Sequence, residues 1–118
     1  MPISPRRKHM PTLKQTQIIT DRSMRVLRGK GFRTSQTGAR YEQELQMINR
    51  KKESISNRLR TLFPQPVPGN TQYQRLQQQI IQIQNRAQQL QQYRTNYIRE
   101  GTVAPYPPRN PQHSWMYV

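Results

Sequence analysis

The sequence predicts an all-α chain, built as an antiparallel two-helix, coiled-coil-like hairpin with extended, irregular arms at both ends. Three observations lead there. Apolar residues recur at alternating steps of three and four in two separate stretches, which is the spacing of a heptad seam. A proline-studded loop, Pro64-Gln65-Pro66-Val67-Pro68-Gly69-Asn70, separates the two stretches. Outside them, prolines and basic residues displace the apolar ones. The predicted organisation is a basic arm over residues 1–40, a helical hairpin over 41–100 and a proline- and aromatic-rich tail over 101–118.

The clearest helix lies in the stretch from Thr71 to Arg99, with its body over about 72–99. Tyr73, Leu76, Ile80, Ile83, Ala87, Leu90 and Tyr97 form its seam, and Arg94 fills the position that breaks the series. Most remaining positions are Gln, a good helix former with no charge to repel a neighbour. Leu, Ile and Ala in heptad register set it apart from a Gln-rich low-complexity tract. Thr71 and Gln74 read as a Thr-x-x-Gln capping box, and Gly101 reads as the stop. The other helix is expected over about 41–63. Its seam is Tyr41, Leu45, Ile48, Ile55, Leu59 and Leu62, with Lys52 at the skipped position. Glu42 and Glu44 fall near its start and Arg58 and Arg60 near its end, as the helix dipole prefers. At 1.5 Å rise per residue each helix is roughly 35–42 Å long. The prolines end the first helix, Gly69 lets the chain reverse, and so short a connection sets the helices antiparallel.

Residues 1–12 carry Pro2, Pro5 and Pro11, which exclude helix and favour an extended path. Ser4-Pro5-Arg6-Arg7-Lys8 resembles the Ser-Pro-basic-basic units of some histone and other chromatin tails, which present basic side chains to the minor groove. The same residues suit a nuclear-localisation cluster or a proline-directed phosphorylation site. The same prolines spoil the amphipathic helix that an organellar transit peptide needs. From Leu13 to Arg33, Lys14, Arg22, Arg25, Arg28, Lys30 and Arg33 face one acid, Asp21. A short helix is expected near 21–28, capped by Thr20 and stopped by Gly29, with Gly29-Lys30-Gly31 as a flexible basic loop. Thr34 to Arg40 reads as a polar connector. At the other end, the prolines of 102–118 forbid regular structure. Tyr106, Trp115, Met116 and Tyr117 there are expected to dock into a groove on another protein.

Composition bounds the function. Hydrophobic residues make up 31% of the chain, against roughly 45–50% in a typical soluble domain, so the core must be small. The formal net charge is +15, which calls for a polyanionic partner. There is no cysteine, hence no disulfide and no thiolate metal site. No apolar run reaches the ~18 residues of a membrane span. His9 and His113 lie in proline-flanked tails without ligand spacing. The acids form no acid/base pair, the hydroxyls have no adjacent base, and Gly29-Lys30-Gly31 lacks the Walker spacing. No catalytic constellation is present, and neither a cofactor nor a small-molecule substrate is expected.

The expected role is a non-catalytic structural component of a large nucleoprotein assembly, in the style of a ribosomal protein, inside a cell or a virion. Arg6, Arg7, Lys8, Lys14, Arg22, Arg25, Arg28, Lys30 and Arg33, with Arg50 and Lys51 on the first helix of the hairpin, are the expected contacts to RNA or DNA phosphates, without sequence preference. The hairpin and tail are expected to meet neighbouring proteins. The alternatives are a minor capsid or cement protein linking coat subunits, and a non-specific DNA-compacting protein.

Overall fold

Two long helices, each with one apolar stripe, need each other, and they meet. The computed structural model describes residues 13–101 and 104–118, and the side chains from residue 20 onward. The described chain is helical throughout its ordered elements: α1 (Leu13–Thr34), α2 (Gln36–Leu62), α3 (Thr71–Glu100) and a C-terminal 3₁₀ segment (Pro111–Tyr117). Phe63, just after α2, packs its ring on Tyr73 at the start of α3, at 5.5 Å between centroids. Glu44, early in α2, pairs with Arg86 in the second half of α3. The chain therefore doubles back between the two helices.

The core is a single narrow row. Tyr41, Ile48 and Ile55 of α2 face Leu76, Ile83, Leu90 and Tyr93 of α3, with Phe32 from α1 and Met116 from the 3₁₀ segment. Leu45, Leu59, Ile80, Ala87 and Tyr97 line its edges, as the heptad spacing predicts. At the top of α3 the stripe drifts by one position: Tyr93 is buried and Arg94 is exposed. An α-helix turns 3.6 residues, not 3.5, so a straight helix carries its seam sideways along its length. At the loop end, Leu62 is left 47% exposed and Phe63 takes the contact expected of it.

The two-helix expectation is incomplete, because the described parts of the predicted arms are themselves helical or docked; the extended path expected over residues 1–12 lies outside the described residues. The short helix expected near 21–28 is instead a 22-residue α1 that runs through Gly29, Lys30 and Gly31. Each glycine costs roughly 1 kcal/mol of helix propensity, and tertiary contacts offset it. Phe32 is 2% exposed, with its ring 5.3 Å from Tyr41 and 5.1 Å from Tyr97. Arg28 donates from Nε to the Ile98 carbonyl at 2.6 Å and from Nη2 to the Arg99 carbonyl at 3.2 Å. These carbonyls lie at the end of α3, where no helical N–H remains to meet them.

The polar connector expected over 34–40 shrinks to one residue, Ser35. Its φ −82°, ψ 164° break the helix. Its hydroxyl donates to the Phe32 carbonyl at 2.7 Å and accepts from the Gly38 N–H at 3.0 Å, capping α2. Because α2 starts at Gln36, neither Glu42 nor Glu44 lies in its first turn, where the dipole reading placed them. Asn70, not the Thr71–Gln74 box, caps α3, accepting from the N–H groups of Gln72 and Tyr73; Gln74 reaches back to the Pro68 carbonyl. Gly101 ends α3 as expected, at φ 70°, the one positive φ among the described residues; Gly69 turns without it.

With α1 and α2 following each other lengthwise, the protein measures 87 × 27 × 17 Å, about twice the roughly 45 Å of α3 alone. Among the described residues no helix is long and apolar enough to cross a membrane.

The glycines of this region separate by environment. A Cβ on Gly38 would sit 1.7 Å from the Phe32 carbonyl oxygen, whereas one on Gly29 or Gly31 meets nothing within 4 Å. Gly38→Ala is expected to lower thermal stability sharply by splaying α1 from α2. Gly29→Ala and Gly31→Ala should each raise it, by up to about 1 kcal/mol. Thermal melts of the three variants followed by circular dichroism check both signs.

Candidate nucleic-acid interface

One buried ion pair ties α2, α3 and the C-terminal segment together. Glu44 is fully buried, and its carboxylate receives Arg86 at both oxygens: Nε to Oε2 at 2.6 Å and Nη2 to Oε1 at 3.2 Å. The Tyr106 hydroxyl donates to Oε1 at 2.7 Å and the Tyr117 hydroxyl to Oε2 at 2.6 Å. Arg109 stands 3.7 Å from Oε1. Arg86 is equally committed. Its remaining N–H groups donate to Gln89 Oε1 at 2.8 Å, the Pro108 carbonyl at 3.0 Å and the Pro107 carbonyl at 2.9 Å. All five guanidinium donors are used.

Burial pushes the Glu44 carboxyl up, but the hydrogen bonds from Arg86, Tyr117 and Tyr106 outweigh it and hold it below the usual carboxylate range. Burial and the bond to Glu44 raise both tyrosines, Tyr117 to about 12 and Tyr106 further. The guanidinium of Arg40 lies 4.0 Å over the Tyr106 ring and that of Arg109 lies 3.9 Å over the Tyr117 ring. Tyr93 donates to the Ala104 carbonyl at 3.0 Å.

The tail therefore docks, but on this chain's own helices. Met116 is 1% exposed in the shared core, Tyr106 and Tyr117 are tied to Glu44, and Trp115 packs at the edge of the core near His113. These four residues were expected to reach a groove on another protein. Two amphipathic helices leave such a groove between them, and the tail fills it.

Arg6, Arg7 and Lys8 lie outside the described residues, and of Lys14 only the helical backbone is described. Arg22, Arg25, Lys30 and Arg33 are exposed on α1; Arg50 is exposed and Lys51 half-buried on α2. Arg28 is half-buried, and two of its five guanidinium donors are directed at the α3 carbonyls. The new element is convergence. Arg25 of α1 and Arg94 and Arg99 of α3 line one groove with Thr95 and Ile98. Arg25, Lys30, Arg33 and Arg94 line the adjoining one, where Glu42 is the only acid. Arg99 also meets the exposed Glu100 at 3.0 Å, a contact worth little in water. Arg50 and Lys51 sit in a separate groove against Tyr117 and Val118.

The sequence reading missed Arg94 and Arg99. Arg94 broke a seam, and an unsatisfied seam position is a signal that the helix face has drifted to solvent there. It also missed Glu44, whose signal was an acid three residues after a seam Tyr and four before a seam Ile. Among the described residues no three His, Asp or Glu side chains lie close enough to share a metal ion. No known family model matches the chain, and no curated protein or solved structure is significantly similar to it.

Removing the Glu44 charge strands Arg86, so Glu44→Gln should cost about 3–5 kcal/mol. The Glu44 contribution is full above the ordinary carboxylate range and is lost as pH falls through its lowered folded value. The tyrosine contributions are full below about pH 10 and fade as pH rises toward their raised folded values. The stability gap between wild type and Glu44→Gln should therefore stay flat from about pH 5 to 9 and close in acid. Thermal melts across pH measure it, and the fluorescence of Trp115, the one tryptophan, should shift to the red in the variant at pH 7 as the tail loosens.

Proposed function

We propose that the protein is a non-catalytic, nucleic-acid-binding structural component of a nucleoprotein assembly. Its basic α1 and the groove between α1 and α3 grip the phosphate backbone without reading sequence. The observation that carries this is the convergence of Arg25, Arg94 and Arg99, from two helices and far apart in sequence, on one groove with no acid in its lining. A net charge of +15 sets the sign of the partner, and guanidinium forks match phosphate oxygens. The chain is rod-shaped, 87 Å in its longest dimension, and exposed basic residues of α1 and α2 extend the contact along it. Arg6, Arg7 and Lys8, which precede α1 in the sequence, fit the same partner, RNA or DNA.

Two alternatives rank lower. A cement protein linking coat subunits drew on a free aromatic tail, and Tyr106, Met116 and Tyr117 are engaged within this chain. A DNA-compacting role rests on Ser4 to Lys8 alone.

The test is a salt titration of binding to random-sequence duplex DNA and single-stranded RNA. With about six phosphates engaged, log K should fall with log salt at a slope near −5 on duplex and about −4 on single strands. Arg25→Ala, Arg94→Ala and Arg99→Ala together should reduce that slope by about two to three units and weaken all sequences alike. All three side chains are exposed, so helicity should hold. Unchanged affinity and slope would remove the groove from the interface.

A further inference from the structure

The basic grooves at the α1–α3 junction hold guanidiniums but no open aromatic ring. The chain has six Tyr, two Phe and one Trp. All of them lie among the residues whose side chains are described, and none is exposed. Phe32, Tyr41, Tyr93 and Tyr97 pack ring against ring, and Phe63 does so with Tyr73. Tyr106 lies under the Arg40 guanidinium and Tyr117 under that of Arg109. Trp115 packs at the edge of the core beside His113. To Arg25, Arg94 and Arg99, the first groove adds only Thr95 and Ile98. The adjoining groove has one ring in its lining, Phe32, which is 2% exposed.

We infer that the nucleic acid these grooves take is double-stranded, and that the protein discriminates against single strands. The inference rests on the nucleic-acid reading and narrows it. Recognition of single strands combines a basic track with aromatic side chains on which unpaired bases stack, and each stacked base adds about 5- to 150-fold in affinity. A single strand laid in these grooves meets the guanidiniums but leaves the faces of its bases without a partner. A duplex has already stacked its bases on one another and lines its outer edges with sugar and phosphate. A lining of guanidiniums without rings complements that surface. The duplex also presents one charge per ~1.7 Å of length, against one per ~3.4 Å on each strand.

Shape points the same way. The protein is a rod 87 Å long, with exposed basic side chains from Arg22 of α1 to Arg58 and Arg60 near the loop end of α2. Charges fixed on helices match a partner that is itself stiff over this length, and a duplex keeps its direction over ~150 base pairs. At ~3.4 Å per base pair the rod spans about 25 base pairs.

Fluorescence anisotropy of the full chain at ~0.15 M salt tests it. The probes are a labelled random-sequence duplex of about 25 base pairs and one of its strands, chosen not to pair with itself. The duplex should bind at least about tenfold more tightly than the strand. That ratio should exceed the ratio for an unstructured basic peptide of the same charge, +15, titrated alongside. Thr95 is exposed and lines the groove with Arg25 and Arg99, so Thr95→Tyr supplies a ring there without touching the core. Its affinity for the strand should rise about fivefold or more, with unchanged helicity by circular dichroism. A strand bound as tightly as the duplex, a ratio no larger than the peptide's, or a Thr95→Tyr variant that binds the strand like wild type would each overturn the inference while leaving nucleic-acid binding itself in place. A chain that binds neither polymer overturns both the inference and the reading it rests on.

Discussion

The Glu44–Arg86 ion pair is the contact on which the rest of the structure depends. It joins α2 to α3 across the core, and through Tyr106, Tyr117 and the Pro107 and Pro108 carbonyls it joins both helices to the C-terminal segment. Taking two charges out of water is expensive, and their attraction offsets that cost only when every donor and acceptor is met. Here the five guanidinium donors all find oxygens, and both carboxylate oxygens accept more than one bond. No buried side-chain polar atom among the described residues lacks a partner. A network so fully satisfied admits one register of α2 against α3 and one path for the tail.

This economy suits a chain with little apolar material. A row of Ile and Leu one residue wide cannot close a core by itself, and aromatic rings extend it at the upper end. Phe32, Tyr41, Tyr93, Tyr97 and Tyr106 touch edge to face or tilted in sequence, which adds specific geometry to area burial. Phe32 brings α1 into that cluster, and Arg28 fastens it to the end of α3. Among the described residues the basic side chains consequently lie mostly on the outside of a narrow rod, and the buried cation, Arg86, is neutralised in place. The surface carries basic grooves at the α1–α3 junction.

Much of the fold was legible because helix periodicity is local. Tyr41, Leu45, Ile48 and Ile55, and Leu76, Ile83 and Leu90, repeat at heptad spacing whatever surrounds them, and the proline loop and Gly101 mark their ends. The basic residues of α1 were legible as a strongly positive stretch, since charge is additive along a sequence. Less legible were the residues whose role is set by a partner distant in sequence. Glu44 looked like a dipole-favoured acid near a helix start, Arg94 like a basic seam residue, and Gly29 and Gly31 like a loop. The tail's aromatics were read as docking on another protein, and in the structure they pack on this chain, because a linear pattern does not say whose groove an aromatic fills.

By itself, then, the sequence determined the helical class, the two long amphipathic stripes, the reversal between them and the strong positive charge. These follow from residue spacing, proline geometry and net charge, which act within a few turns or over the whole chain. The tertiary structure alone decided that α1 runs unbroken through two glycines, that Ser35 is the entire connector, and that the tail closes on its own helices. It also decided which arginines converge on one groove and which is buried. Each of these turns on a contact between residues tens of positions apart: Arg28 with Ile98, Arg86 with Glu44, Tyr117 with Glu44. The free energy of such a contact comes from desolvation and hydrogen-bond geometry at one place in space, and it exists only once the helices have packed.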